Sequence, residues 1–133
     1  MRLYYAIATL LFPALAAAAD APALLNNRLS ALAGADAVDC GTLALNADRK
    51  SAIACATKNV AGAKPFRLAV QLPSADGVSW QGAARDAKGK LWALFYEADP
   101  SGANPTFSSV LCLSLTFDPG NDPIECAPDA GSR

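Results

Sequence analysis

The chain has no histidine, so the side chains able to do chemistry reduce to four cysteines, at positions 40, 55, 112 and 126, and twelve carboxylates. Without imidazole the usual base near neutral pH is missing, along with Ser-His-Asp and Cys-His arrangements and the commonest metal ligand. Cysteine catalysis needs a free, activated thiolate, and an even set that pairs completely leaves none. Zinc would want C-x-x-C pairs or histidine partners, and neither occurs. No G-x-G-x-x-G, P-loop or G-x-S-x-G string is present, so neither a cofactor nor a metal is expected. Of the three possible pairings, Cys40 with Cys55 and Cys112 with Cys126 is favoured, because each pair joins locally across a helix entry or a hairpin. Closing a loop of about 15 residues contributes on the order of 3 kcal/mol.

Glu97 and Asp99, two apart, and Asp86 nearby could in principle form a carboxylate pair for glycoside hydrolysis. Asp86 opens the string Asp86-Ala87-Lys88-Gly89-Lys90 and Asp99 precedes Pro100, both common turn positions for aspartate. No catalytic residue is therefore expected. Asp118, Asn121 and Asp122 fail the D-x-[DN]-x-[DN]-G spacing of a calcium loop. Asn104-Pro105-Thr106 is not a glycosylation acceptor, because proline holds the middle position.

The chain opens with Met1 and Arg2, then an uncharged apolar run to an alanine tract closing at Ala17, Ala18 and Ala19. This is a signal-peptide layout over residues 1–19, too short and wrongly flanked for a stable membrane span. Export to the periplasm or outside the cell is the expectation, with one domain over residues 20–127 and a flexible tail at 128–133. An oxidising compartment agrees with the paired cysteines.

Charge is unevenly spread. Residues 20–48 sum to −3, residues 49–90 to +6 and residues 91–133 to −5. No basic run exceeds two residues, so the basic middle is read as balanced by acidic strands laid beside it, and no nucleic-acid partner is expected.

The elements that must hold these residues follow from periodicity. Residues 23–33 carry Leu24, Leu25, Leu29 and Leu32 at helical spacing with Gly34 at the C-terminal cap. A second helix is expected over 48–60, with Asp48 as its cap. From Pro65 the period becomes two: strands over 66–72, 78–85, from 91 to about 98, 107–117 and a short one over 124–127. A three-residue hairpin loop with Gly89 left-handed is expected after Asp86. It sets Ala84 against Trp92, Gly82 against Leu94 and Trp80 against Tyr96, with Phe66 to Leu72 joining the same side as one core. Leu111, Leu113, Leu115 and Phe117 then point inward and Cys112 outward, opposite Cys126. The fold expected is α+β: two N-terminal helices packed on one face of a four- to five-stranded antiparallel meander, disulfide-stapled. In outline this is similar to β-lactamase-inhibitor-like and cystatin-like folds. The cystatin-type Q-x-V-x-G loop is absent, the nearest stretch being residues 71–77, so no inhibitory residue carries over.

In that arrangement the other sheet face is open, with Leu91, Phe95 and Val110 at its centre and Arg67, Gln71, Gln81 and Arg85 around them. An apolar centre with a polar, partly basic rim suits a contact surface. The functional expectation is an exported, non-enzymatic binding module for a protein or envelope partner, with Arg67, Gln81, Arg85, Leu91 and Phe95 as binding residues. The alternatives are a hydrolase acting through carboxylates such as Glu97 and Asp99, and a structural envelope component that forms a homodimer through the same face.

Overall fold

The computed structural model describes residues 21–120 and 122–129. The expected signal peptide and the end of the expected tail, residues 130–133, lie outside the described residues. The order of elements is α1 (Ala23–Ala33), β1 (Val38–Leu43), α2 (Lys50–Ala61), β2 (Phe66–Leu72), β3 (Val78–Arg85), β4 (Leu91–Ala98), β5 (Thr106–Phe117) and β6 (Ile124–Pro128). The strands form one sheet in the order β1-β2-β3-β4-β5-β6.

The α+β class and both disulfides agree with the reading above, but the sheet is six-stranded and mixed. Val38–Leu43, where no element was expected, is a strand pairing parallel with β2, and α2 is the crossover between them. Gly41, at φ +119°, sits where that pairing shifts register, and this break in the alternation hid the strand.

The helices take opposite faces, which corrects the one-face arrangement. Helix α1 rests Leu25 and Leu29 on β2 and β3, above Ala69, Trp80, Ala84, Leu94 and Tyr96. Helix α2 covers the other side, where Ala52 and Ala56 meet Phe66, Leu68, Val70, Ala83 and Ala93. Strand β2 is consequently buried on both sides, with Leu68, Ala69 and Val70 all at 1% exposure or less. Small residues at 82–84 leave room for a helix on each side. A Cβ on Gly82 would stand 3.2 Å from Leu25 Cδ1 and from Leu29 Cδ2.

The β3–β4 hairpin has the expected register: Ala84 opposite Trp92, Gly82 opposite Leu94 and Trp80 opposite Tyr96. Gly89 adopts φ +85° in the loop. The set Phe66, Leu68 and Val70 nonetheless faces away from Trp80, because Gln71 is the residue that pairs with it.

Strand β5 carries an irregularity between Cys112 and Ser114. One extra residue resets the alternation, so Cys112 and Leu115 are both buried while Leu113 is 68% exposed. The expected inward set 111, 113, 115 and 117 is thereby split. Beyond the irregularity the sheet folds over itself. Phe117 meets Phe66 of β2 edge to face, centroids 6.1 Å apart, and β6 touches β3 and β4 as well as its neighbour β5.

Cys40 is bonded to Cys55 and Cys112 to Cys126, each with Cα atoms 5.5 Å apart. Cys126 pairs in register with Leu115 rather than opposite Cys112. Among the described residues no cysteine is free, and no helix is long and apolar enough to cross a membrane.

Candidate functional site

The five residues expected to form one contact surface do not share one. Arg67 is on the α1 side, where its guanidinium pairs with Asp39 at 3.3 Å and reaches Ser30 Oγ at the same distance. Leu91 is 8% exposed and belongs to the core beneath α2. Gln81 is 6% exposed, with Oε1 lacking a hydrogen-bond partner among the described residues. Arg85 donates from Nη2 to the Val60 carbonyl at 2.9 Å and from Nη1 to the Gly89 carbonyl at 2.9 Å. It therefore ties the last turn of α2 to the β3–β4 hairpin, as a second donor to a carbonyl that also accepts from the Ala63 N–H at 3.3 Å. Gln71 is also engaged, accepting from the Leu45 N–H at 3.2 Å. The dispersal has two physical causes: α2 lies on the face that was expected to be open, and the β2–β3 register turns Arg67 and Gln71 to the α1 side.

Phe95 is the member that stays at the surface, 36% exposed. Helix α2 bears on β1, β2 and β5, where Thr57 and Val60 border Leu115 to Phe117, and β6 bears on β3 and β4. The end of β4 and the start of β5 escape this cover. There Phe95 pairs with Ser108 and Glu97 with Thr106, so the period-two alternation puts all four side chains on one face. They line a hollow of about 290 Å³ together with Phe107. Glu97, Thr106 and Ser108 are exposed, and their side chains have no hydrogen-bond partner among the described residues. Thr106 and Ser108 escaped the sequence reading, which left the pairing of 107–117 with 91–98 undetermined.

The other carboxylates serve turns. Asp86 Oδ1 accepts from the Lys88 and Lys90 N–H groups, both at 2.9 Å, and Oδ2 accepts from Trp92 Nε1 at 2.9 Å. Burial pushes this carboxyl up, but the bonds from Trp92, Lys90 and Lys88 and the Lys90 charge outweigh it and hold it below the usual aspartate range. Asp99 accepts from Asn104 Nδ2 at 2.8 Å, closing its own loop. Asp86 and Glu97 stand at opposite ends of β4, roughly 20 Å apart by strand geometry, far beyond the separation a glycosidase pair uses. Asp118 Oδ1 accepts from the Gly120 N–H at 2.8 Å, again a turn. Among the described residues no cluster of three or more histidine, cysteine or carboxylate side chains is placed to hold a metal ion.

No protein-family model, curated protein or solved structure matches this chain.

Proposed function

We propose that the chain is an exported, non-enzymatic binding module whose contact surface is the open corner around Phe95. One observation carries this reading. An aromatic ring is left more than a third exposed beside three polar side chains without partners among the described residues, on a part of the sheet that neither helix nor β6 covers. Aromatic side chains flanked by polar groups are favoured at recognition surfaces because they offer apolar area at low entropic cost. Two disulfides that use all four cysteines support an oxidising compartment outside the cytoplasm. The leader-like composition of residues 1–19 supports the same destination.

The test has two arms. Intact mass of the protein recovered from the exported fraction is expected to lack residues 1–19 and to rise by the mass of four hydrogens on reduction. A full-length cytoplasmic species with four titratable thiols overturns export. For binding, wild type and Phe95→Ser are compared as bait against the exported fraction, with thermal midpoints measured for both. Loss of a specific captured partner at an unchanged midpoint is expected. Equal capture by both overturns the contact surface, and sedimentation of the purified bait distinguishes a partner from a second copy of the chain.

A further inference from the structure

The four side chains at the open corner differ in kind, and their arrangement narrows what fits them. Phe95 and Glu97 are two apart on β4 and so are neighbours on one face; Ser108 and Thr106 stand opposite them on β5. An aromatic residue, a carboxylate and two hydroxyls thus border one hollow of about 290 Å³. The carboxylate has no ion-pair partner among the described residues. An aromatic face attracts a cation through its quadrupole, and a carboxylate beside it adds direct charge attraction. The same two strands show this chemistry satisfied from within on the other face. There the Arg28 guanidinium carbon stands 5.6 Å from the centroid of Phe107, the next aromatic along. Phe107 has its own cation; Phe95 has a carboxylate and open space.

We infer that the Phe95–Glu97 corner takes a cationic side chain, arginine or lysine, presented by a partner polypeptide. The inference rests on the contact surface proposed above and specifies its chemistry. The guanidinium or ammonium lies over the Phe95 ring with its N–H groups toward the Glu97 carboxylate, while the hydroxyls of Thr106 and Ser108 accept any remaining donors. Charge complementarity favours this occupant over an anionic one. Among the described residues lining the hollow, Glu97 is the one that carries a charge, and it is negative.

The experiment titrates isotopically labelled protein with an N-acetylated, C-amidated Ser-Arg-Ser peptide and with its citrulline counterpart, a neutral isostere. Physiological ionic strength is used, so that unspecific attraction is screened. Amide shifts at Phe95, Glu97, Thr106 and Ser108 are expected, with the arginine peptide binding roughly fivefold more tightly than the citrulline one. Glu97→Gln is expected to level that ratio and Phe95→Ala to lower both affinities. Equal shifts from the two peptides at this corner overturn the cationic preference and leave the contact surface standing. Shifts elsewhere, around Asp118 and Asp122 for example, or no shifts at all, overturn the inference, and capture by wild type against Phe95→Ser then decides the contact surface separately.

Discussion

Asp86 accepts three hydrogen bonds, two from the N–H groups that close the hairpin and one from the indole of Trp92. The folded state therefore favours its ionised form, and its pKa lies below the ordinary aspartate value. Because the folded pKa is the depressed one, the stabilisation is fully present above the unfolded value of about 3.9 and is lost as pH falls through the folded value. Asp86→Asn is expected to cost about 1 kcal/mol at neutral pH, since the amide keeps one acceptor but loses the charge. In urea titrations the gap between wild type and variant should hold from pH 7 to about pH 5 and close in more acid solution. A gap that widens in acid would contradict the direction of the shift. At this scale the sequence was informative where side chain and backbone act locally, as at Asp86, where a turn aspartate was expected and is found. It was uninformative where a residue's partner is remote in the chain. Arg85 reads as a surface cation, yet its partner is the Val60 carbonyl, and Gln81 reads as rim but is buried.

Two glycines set how closely elements approach, and they differ in what stands beside them. A Cβ on Gly82 would meet the ends of the Leu25 and Leu29 side chains, which are flexible but fully buried beneath α1. A Cβ on Gly77 would overlap the backbone carbonyl oxygen of Ala98, which cannot turn aside. Gly82→Ala is accordingly expected to cost about 1 kcal/mol and Gly77→Ala about 3 kcal/mol, read as shifts in denaturant midpoint. The reverse order would mean that α1 is held more rigidly than the turn joining β2 to β3. The span of α1, the β3–β4 register and the left-handed Gly89 were all legible, because helical spacing and hairpin loop length are local signals. Strand β1 was not, since its alternation is broken at Gly41 and its partner lies beyond a helix. Nor was the side taken by α2. The pattern of β2 offered two clues, Ala69 among its apparent outward positions and the small residues opposite it in β3, and both reflect burial on two faces.

The two cores lie on opposite faces of one sheet and share its central strands. Ala69 serves the α1 side while Leu68 and Val70 serve the α2 side, and Ala84 and Ala83 divide in the same way on β3. A strand cannot leave one core while remaining ordered in the other, so the sheet should couple both faces into a single transition. The tryptophans make this testable, because Trp80 and Trp92 both pack on the α1 side and their fluorescence reports that face alone. Leu94→Val trims the α1 side and Leu68→Val the α2 side, each at a position no more than 1% exposed. Each substitution is expected to cost about 1 kcal/mol. In urea unfolding followed by tryptophan fluorescence and by far-ultraviolet circular dichroism, Leu68→Val should move both midpoints equally, although it touches neither tryptophan's face. The double variant should show nearly the sum of the two costs, because the sites sit on opposite sides of the sheet and two strands apart. If Leu68→Val shifted the dichroism midpoint and left fluorescence in place, the faces would unfold separately. Helix α1 with its aromatic layer would then be a detachable cover rather than half of one cooperative body.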